Sequence, residues 1–239
     1  MLSVYSGAVE TVRELIERWL PEYGLVPTGQ QRDLLARYLE LVTAGNERVR
    51  LVGSTEPEVL VRRHLGESLF LGTMVPLASQ KLLDLGAGAG FPGLPLALAF
   101  GLQTTLVESN QKKAAFLRAC AAELRASNLT VENVFLERRP KNGLSLTADL
   151  VTVRALERME VVPAWLDRWL APGTTAAFWA TRDRAANWTA GQRQWDWGAF
   201  HPLPGAMDRG IILSVPRGTS GGRGMSGGRF HVEHSPDLG

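Results

Sequence analysis

Three glycines in five residues, Gly86-x-Gly88-x-Gly90, follow the run Lys81-Leu82-Leu83-Asp84-Leu85 and precede Phe91-Pro92-Gly93. Without a Cβ, glycine accepts unusual backbone dihedrals and lets main-chain N–H groups approach a ligand closely. About twenty residues on, Glu108 closes a second apolar run, Thr104-Thr105-Leu106-Val107, where a carboxylate accepts hydrogen bonds from ribose hydroxyls. The pattern predicts strand, tight turn, helix and strand, the part of an open α/β sheet that holds a nucleotide-like ligand.

NAD and S-adenosylmethionine both carry such a ribose, and a glycine triplet alone does not separate them. Two features favour S-adenosylmethionine. Pro92 and Pro95 each remove an amide donor from the first turn of the following helix, donors that a pyrophosphate needs and a phosphate-free ligand does not. Late in the chain, the apolar strand Gly210 to Val215 follows Trp195 to Leu203 with no helix signal between them, and such a closing hairpin fits a seven-stranded methyltransferase sheet better than a dehydrogenase.

The elements that must position this turn follow from periodicity. Val9, Val12, Leu15, Ile16, Trp19 and Leu20 recur at helical spacing up to Pro21. A second helix starts at Thr28, with Gln31 completing a capping box, and ends at Gly45-Asn46; a third begins near Thr55 with Glu58 in the matching place. From Lys81 the pattern alternates: strands over 81–85, 104–108, 130–136, 150–154 and 174–180, with helices over 94–100, 112–126 and 161–170. This predicts an N-terminal helical cap over residues 1–75 and a Rossmann-like α/β domain over 76–217, with Glu108, Glu137 and Arg154 at carboxyl ends of strands. Residues 218–239, rich in glycine and serine, read as a mobile tail.

The 239 residues carry 45% hydrophobic side chains and a net charge of +2, which suits one good core and neither implies nor excludes a nucleic-acid partner. All but four of the 26 basic residues, Lys81, Lys112, Lys113 and Lys141, are arginine, a bias that base composition of the coding sequence explains as well as function does. The single cysteine, Cys120, excludes internal disulfides and cysteine-rich zinc sites, and no metal site is expected. No apolar stretch approaches the roughly 20 residues of a membrane span. A cytoplasmic location is expected, with no membrane partner.

The most specific stretch, Asp84-Leu-Gly-Ala-Gly-Ala-Gly-Phe-Pro-Gly-Leu-Pro-Leu96, resembles the ribosomal RNA small subunit methyltransferase G family, also called glucose-inhibited division protein B. Further matches are Val61-Arg62-Arg63-His64-Leu65-Gly66-Glu67-Ser68, Val107-Glu108-Ser109 with Lys112-Lys113 and Phe116-Leu117, and Val153-Arg154-Ala155, so the resemblance spans about residues 30–217. It implies a Rossmann-like, seven-stranded S-adenosylmethionine-dependent fold and methylation of N7 of a guanine in 16S ribosomal RNA; a monomer is expected. By position it implies that Gly86, Gly88 and Phe91 line the cofactor site, Glu108 holds the ribose, Leu136 and Glu137 flank the adenine, and Arg154 meets the methionine end or the target. Read as residues alone, Glu137 fits a solvated loop acid equally, and Arg154 a surface charge at a strand end.

Arg63, His64 and Lys112 are candidate substrate contacts. For His64 the alternative is a half-buried structural histidine, and for Lys112 and Lys113 a solvated helix face against RNA phosphate contact. No general base is nominated, because guanine N7 carries an in-plane lone pair and needs alignment rather than deprotonation. The chain departs from the family at Arg50-Leu51-Val52, where Asn-Leu-Thr is usual, at Phe135 in place of an arginine, and at Arg182 in place of a lysine. Those changes leave open a methyltransferase of another substrate, or a non-catalytic RNA-binding or ribosome-assembly protein that keeps the fold.

Overall fold

A computed structural model of the chain describes residues 10–77, 80–135, 148–155, 162–166, 170 and 173–216. Leu136, Glu137 and the tail over 218–239 lie outside the described residues.

Helix α1 (Val12–Trp19) is opened by a capping box, Thr11 with Glu14, and ends in a 3-10 turn, Leu20–Tyr23. Helix α2 (Gly29–Asn46) starts with the expected box, in which the Thr28 hydroxyl accepts from Gln31 N–H and the Gln31 side chain accepts from Thr28 N–H. Next comes one continuous helical stretch of changing pitch: α3 (Pro57–Val59), a π-helical segment Leu60–Gly66, and α4 (Glu67–Leu69). The box expected at Thr55 and Glu58 does not form. Pro57 at the first helical position moves the cap to Glu56, and Glu58 pairs with Arg62 at 3.1 Å instead.

The sheet strands are β1 (Lys81–Leu85), β2 (Gln103–Val107), β3 (Leu129–Glu132), β4 (Leu150–Val153), β5 (Thr175–Thr181), β6 (Trp195–Leu203) and β7 (Ala206–Pro216). Helices α5 (Gly93–Phe100), α6 (Gln111–Glu123), α7 (Val162–Leu166) and α8 (Arg182–Gly191) lie between them. Strand order is β3-β2-β1-β4-β5-β7-β6, parallel through β5, with β7 antiparallel between β5 and β6. The seven-stranded sheet and its closing hairpin are as the sequence predicts.

Order reverses between β1 and β4, which places the binding crevice at their carboxyl ends. Side chains alternate across the sheet, as the two-residue strand repeat requires. Leu82, Leu106, Leu150 and Trp179 join the cap residues Ile16, Leu35, Tyr38 and Leu65 in one apolar cluster, so the cap and one sheet face share a core. Leu83, Leu85, Val107, Val153 and Phe178 pack on the other face against α7 and α8.

Two elements differ from expectation. Strand β3 ends at Glu132 rather than Leu136: the Asn133 side chain donates to the carbonyls of Glu108 and Ser109, and the backbone leaves the ladder there. Helix α8 has no counterpart in the sequence reading, because Ala185 and Trp188 are its only buried residues and leave no apolar stripe.

Candidate functional site

The glycine turn closes over the end of β1. Gly86 and Ala87 donate to the Val107 carbonyl at 2.9 and 3.0 Å, which ties the turn to β2. Gly86, Gly88 and Gly90 take φ of 71°, 59° and 110°, a region that strains any side chain. Below the turn, the buried Asp84 carboxylate accepts from Gly93 N–H at 3.0 Å and from the Thr152 hydroxyl at 2.7 Å, and so joins β1, α5 and β4. Burial pushes its carboxyl up to about 7, with the two hydrogen bonds acting in the other direction. Gly93 is needed for close approach: a Cβ there would lie 2.6 Å from Asp84 Cβ.

Glu108, just past the end of β2, is buried and accepts Gly88 N–H at 2.8 Å and Asn110 N–H at 2.7 Å, one on each carboxylate oxygen. Asn110 in turn caps α6 by accepting from Lys112 and Lys113 N–H, which puts both lysines in the first turn beside the site. Lys112 is exposed and Lys113 half-buried.

The third wall is the cap. Phe91 is packed between Tyr38, at a ring distance of 5.2 Å, and His64, at 5.0 Å, and the Tyr38 hydroxyl donates to the Ala89 carbonyl at 2.9 Å. Burial first, and then the Arg154 and Arg63 charges, hold the His64 imidazole down to about 4, so it is neutral near pH 7. Arg63 beside it is exposed.

His64 and Arg63 ride on the π-helical segment, and side-chain donors add to the main-chain bonds on its carbonyls. Tyr23 donates to the Arg62 carbonyl at 2.9 Å, and Arg154 donates to those of Arg63 and His64 at 2.6 and 3.2 Å. Arg154 is therefore no solvated charge. Its two Nη nitrogens also donate to Ser68 Oγ at 3.1 Å and Glu67 Oε2 at 2.8 Å.

A family model described as rRNA small subunit methyltransferase G matches residues 31–203, which include the glycine turn, Glu108, the π-helical segment and Arg154. The chain belongs to this family.

A ribosomal RNA small subunit methyltransferase G of Paramagnetospirillum magneticum is 34% identical over 206 residues, covering 85% of this chain and 98% of the relative. One of Stutzerimonas stutzeri is 33% identical over 171 residues, covering 68% and 78%. Among solved structures, a glycopeptide N-methyltransferase complexed with S-adenosyl-L-methionine superposes with a TM-score of 0.54 at 15% identity, covering 64% of this chain and 94% of that one. That likeness is one of fold.

The residues of this family member fit that cofactor. Gly88 carries no side chain where a Cβ would strain the turn, and Glu108, itself buried, keeps further lone pairs on oxygens that already accept two amides. Among the described residues no group of His, Cys, Asp or Glu is arranged to hold a metal ion.

Of the residues expected at the site, Glu108 bonds Gly88, Phe91 packs on His64, and Arg154 holds the carbonyls of Arg63 and His64, while Leu136 and Glu137 fall outside the described residues. Of the departures, Phe135 is 60% exposed past β3, and Arg182 turns away to stack on Phe200 with its guanidinium 4.8 Å from the ring centroid. Arg50 is exposed beyond α2. Sequence reasoning missed Glu67, Thr152, Asn133 and Arg209. The acid and the arginine carry no local signal, because their partners lie 87 and 142 residues away in sequence.

Proposed function

We propose that this protein transfers a methyl group from S-adenosylmethionine to N7 of a guanine in 16S ribosomal RNA of the small subunit, acting as a monomer in the cytoplasm. Residues 1–75 form the cap and 76–217 the transferase domain in this reading. The observation that carries it is the buried Glu108 carboxylate at the end of β2, hydrogen-bonded to Gly88 in the turn after β1, one strand from the reversal point of the sheet.

When bound, S-adenosylmethionine supplies an activated methyl group on a sulfonium sulfur. Glu108 accepts hydrogen bonds from the ribose hydroxyls, the Gly86–Gly90 turn gives close main-chain approach, and Phe91 offers an apolar wall. Leu136 and Glu137 flank the adenine, as the family pattern implies. Bound S-adenosylmethionine would supply its methyl group to the guanine N7 lone pair, and because that nitrogen carries no proton, no side chain is asked to act as a base.

The side chains consequently contribute alignment and electrostatics. His64, neutral beside Arg63, adds no charge next to a base that becomes cationic. Lys112 and Lys113 attract the RNA backbone from the first turn of α6. Arg154 anchors the turn that carries Arg63 and His64 to the rim where the target docks.

Radiolabelled methyl transfer to small subunits lacking their own guanine-N7 mark tests this reading. Label in 16S RNA that disappears in Glu108→Ala is the expected result. Cofactor binding with no label in the RNA overturns it.

A further inference from the structure

The Glu67 side chain is 4% exposed and sits between two guanidiniums. Oε2 accepts from Arg154 at 2.8 Å and Oε1 from Arg209 at 2.7 Å, while its main-chain carbonyl accepts from Trp179 Nε1 at 3.0 Å. These partners come from the end of β4, from β7 and from β5. Arg209 lies opposite Thr181, so it stands at the same edge of the sheet as the carboxyl ends of β4 and β5. Three strands thus grip one helical turn, the turn that carries Arg63 and His64.

A buried carboxylate between two arginines is a costly way to gain stability, since desolvation offsets much of the attraction. What it supplies is geometry. Arg154 is a planar fork with both Nη nitrogens engaged on this turn, so its orientation and that of the turn are fixed together.

We propose that Glu67 and Arg209 are positioning residues for methyl transfer: by clamping Arg154 they fix the turn bearing Arg63 and His64 against the rim where the target base docks. The inference rests on the function proposed above. It assigns work to two residues that touch neither cofactor nor RNA in that reading.

Glu67→Gln, Arg209→Gln and the double variant test it, each measured for thermal midpoint, for S-adenosylmethionine Kd by calorimetry, and for kcat and KM with undermethylated small subunits. Glu67→Gln alone leaves two guanidiniums facing each other and melts lower; the double variant removes that repulsion and recovers part of the midpoint, with Arg154 still lacking its carboxylate. Cofactor Kd stays within about threefold in all three, while kcat falls about 10- to 100-fold in Glu67→Gln and in the double variant, because misplacement by about 1 Å is enough for such losses. Arg209→Gln, at a partly exposed site that tolerates change, loses kcat without loss of fold.

Recovery of kcat together with the midpoint in the double variant shows a merely structural seam and overturns the proposal. Unchanged kcat in Arg209→Gln overturns it equally. If the parent itself transfers no label, the functional reading fails instead, and the two failures are distinct.

Discussion

The Glu108 carboxylate accepts the Gly88 amide at 2.8 Å, across 20 residues of sequence, and so ties the end of the second strand to the middle of the glycine turn. The bond fixes the position of the carboxylate proposed as the ribose acceptor. Its other oxygen is held by Asn110 N–H, which links the same carboxylate to the start of α6 and hence to Lys112 and Lys113. The proposed ribose acceptor and the proposed RNA contacts share one anchor.

Gly93→Ala and Gly88→Ala separate fold from site. A Cβ at Gly93 meets Asp84 and Leu106 within 2.6 Å, so the variant loses roughly 1–3 kcal/mol of stability by denaturant titration. At Gly88 there is space but φ is +59°, so Gly88→Ala costs roughly 1–2 kcal/mol and weakens cofactor binding more than its stability loss explains. Equal cofactor affinity in Gly88→Ala and the parent contradicts the turn's role.

Asp84 makes stability depend on pH with a definite sign. Its folded carboxyl holds a proton up to about 7, whereas an unfolded aspartate ionises near its ordinary value of 3.8. Between those values the folded state binds more protons, so this group's contribution to stability falls as pH rises and levels off above 7. Asp84→Asn keeps an acceptor for Gly93 and gives Thr152 a donor, and its melting midpoint gains on the parent across that window. Parallel curves from pH 4 to about 7 refute the assignment.

His64 has the opposite linkage. Its folded imidazole is held down to about 4, so its contribution is present above its ordinary value of 6.5 and is lost as pH falls toward 4. The ring-proton chemical shift of His64 stays flat between about pH 6 and 8, where an ordinary histidine titrates. A midpoint near 6.5 places the ring in solvent and removes it from the Phe91 stack.

Lys112 and Lys113 are tested by salt. If both meet RNA phosphates, Lys112→Ala/Lys113→Ala lowers the slope of log affinity for small-subunit RNA against log salt by about 0.7 per lost contact. Cofactor affinity is unchanged, because the α6 cap uses their main-chain amides. An unaltered slope returns these lysines to a solvated helix face.

The glycine turn, β1 and the closing hairpin were legible because local chemistry dictates them: an apolar run, residues that tolerate positive φ, and a hairpin with no helix in between. Helix α8 was not legible because Thr181 and Asp183 at its start are weak signals without an apolar stripe behind them. The π-helical segment has the same periodicity as an ordinary helix over seven residues, and its main-chain bonding and the distant donors Tyr23 and Arg154 that reach its carbonyls leave no mark in local sequence. Glu67 stands in the sequence within the Val61–Ser68 match, with nothing to mark it as buried. Its burial is a product of three strands meeting, which no spacing encodes.

The most direct test of the account is the identity of the methylated nucleoside. After incubation with S-adenosylmethionine and undermethylated small subunits, the 16S RNA is digested and its nucleosides are separated by mass. The account predicts 7-methylguanosine at one site, absent with Glu108→Ala. A methyl group on any other base or position, or label that enters protein or a small molecule in place of RNA, contradicts it.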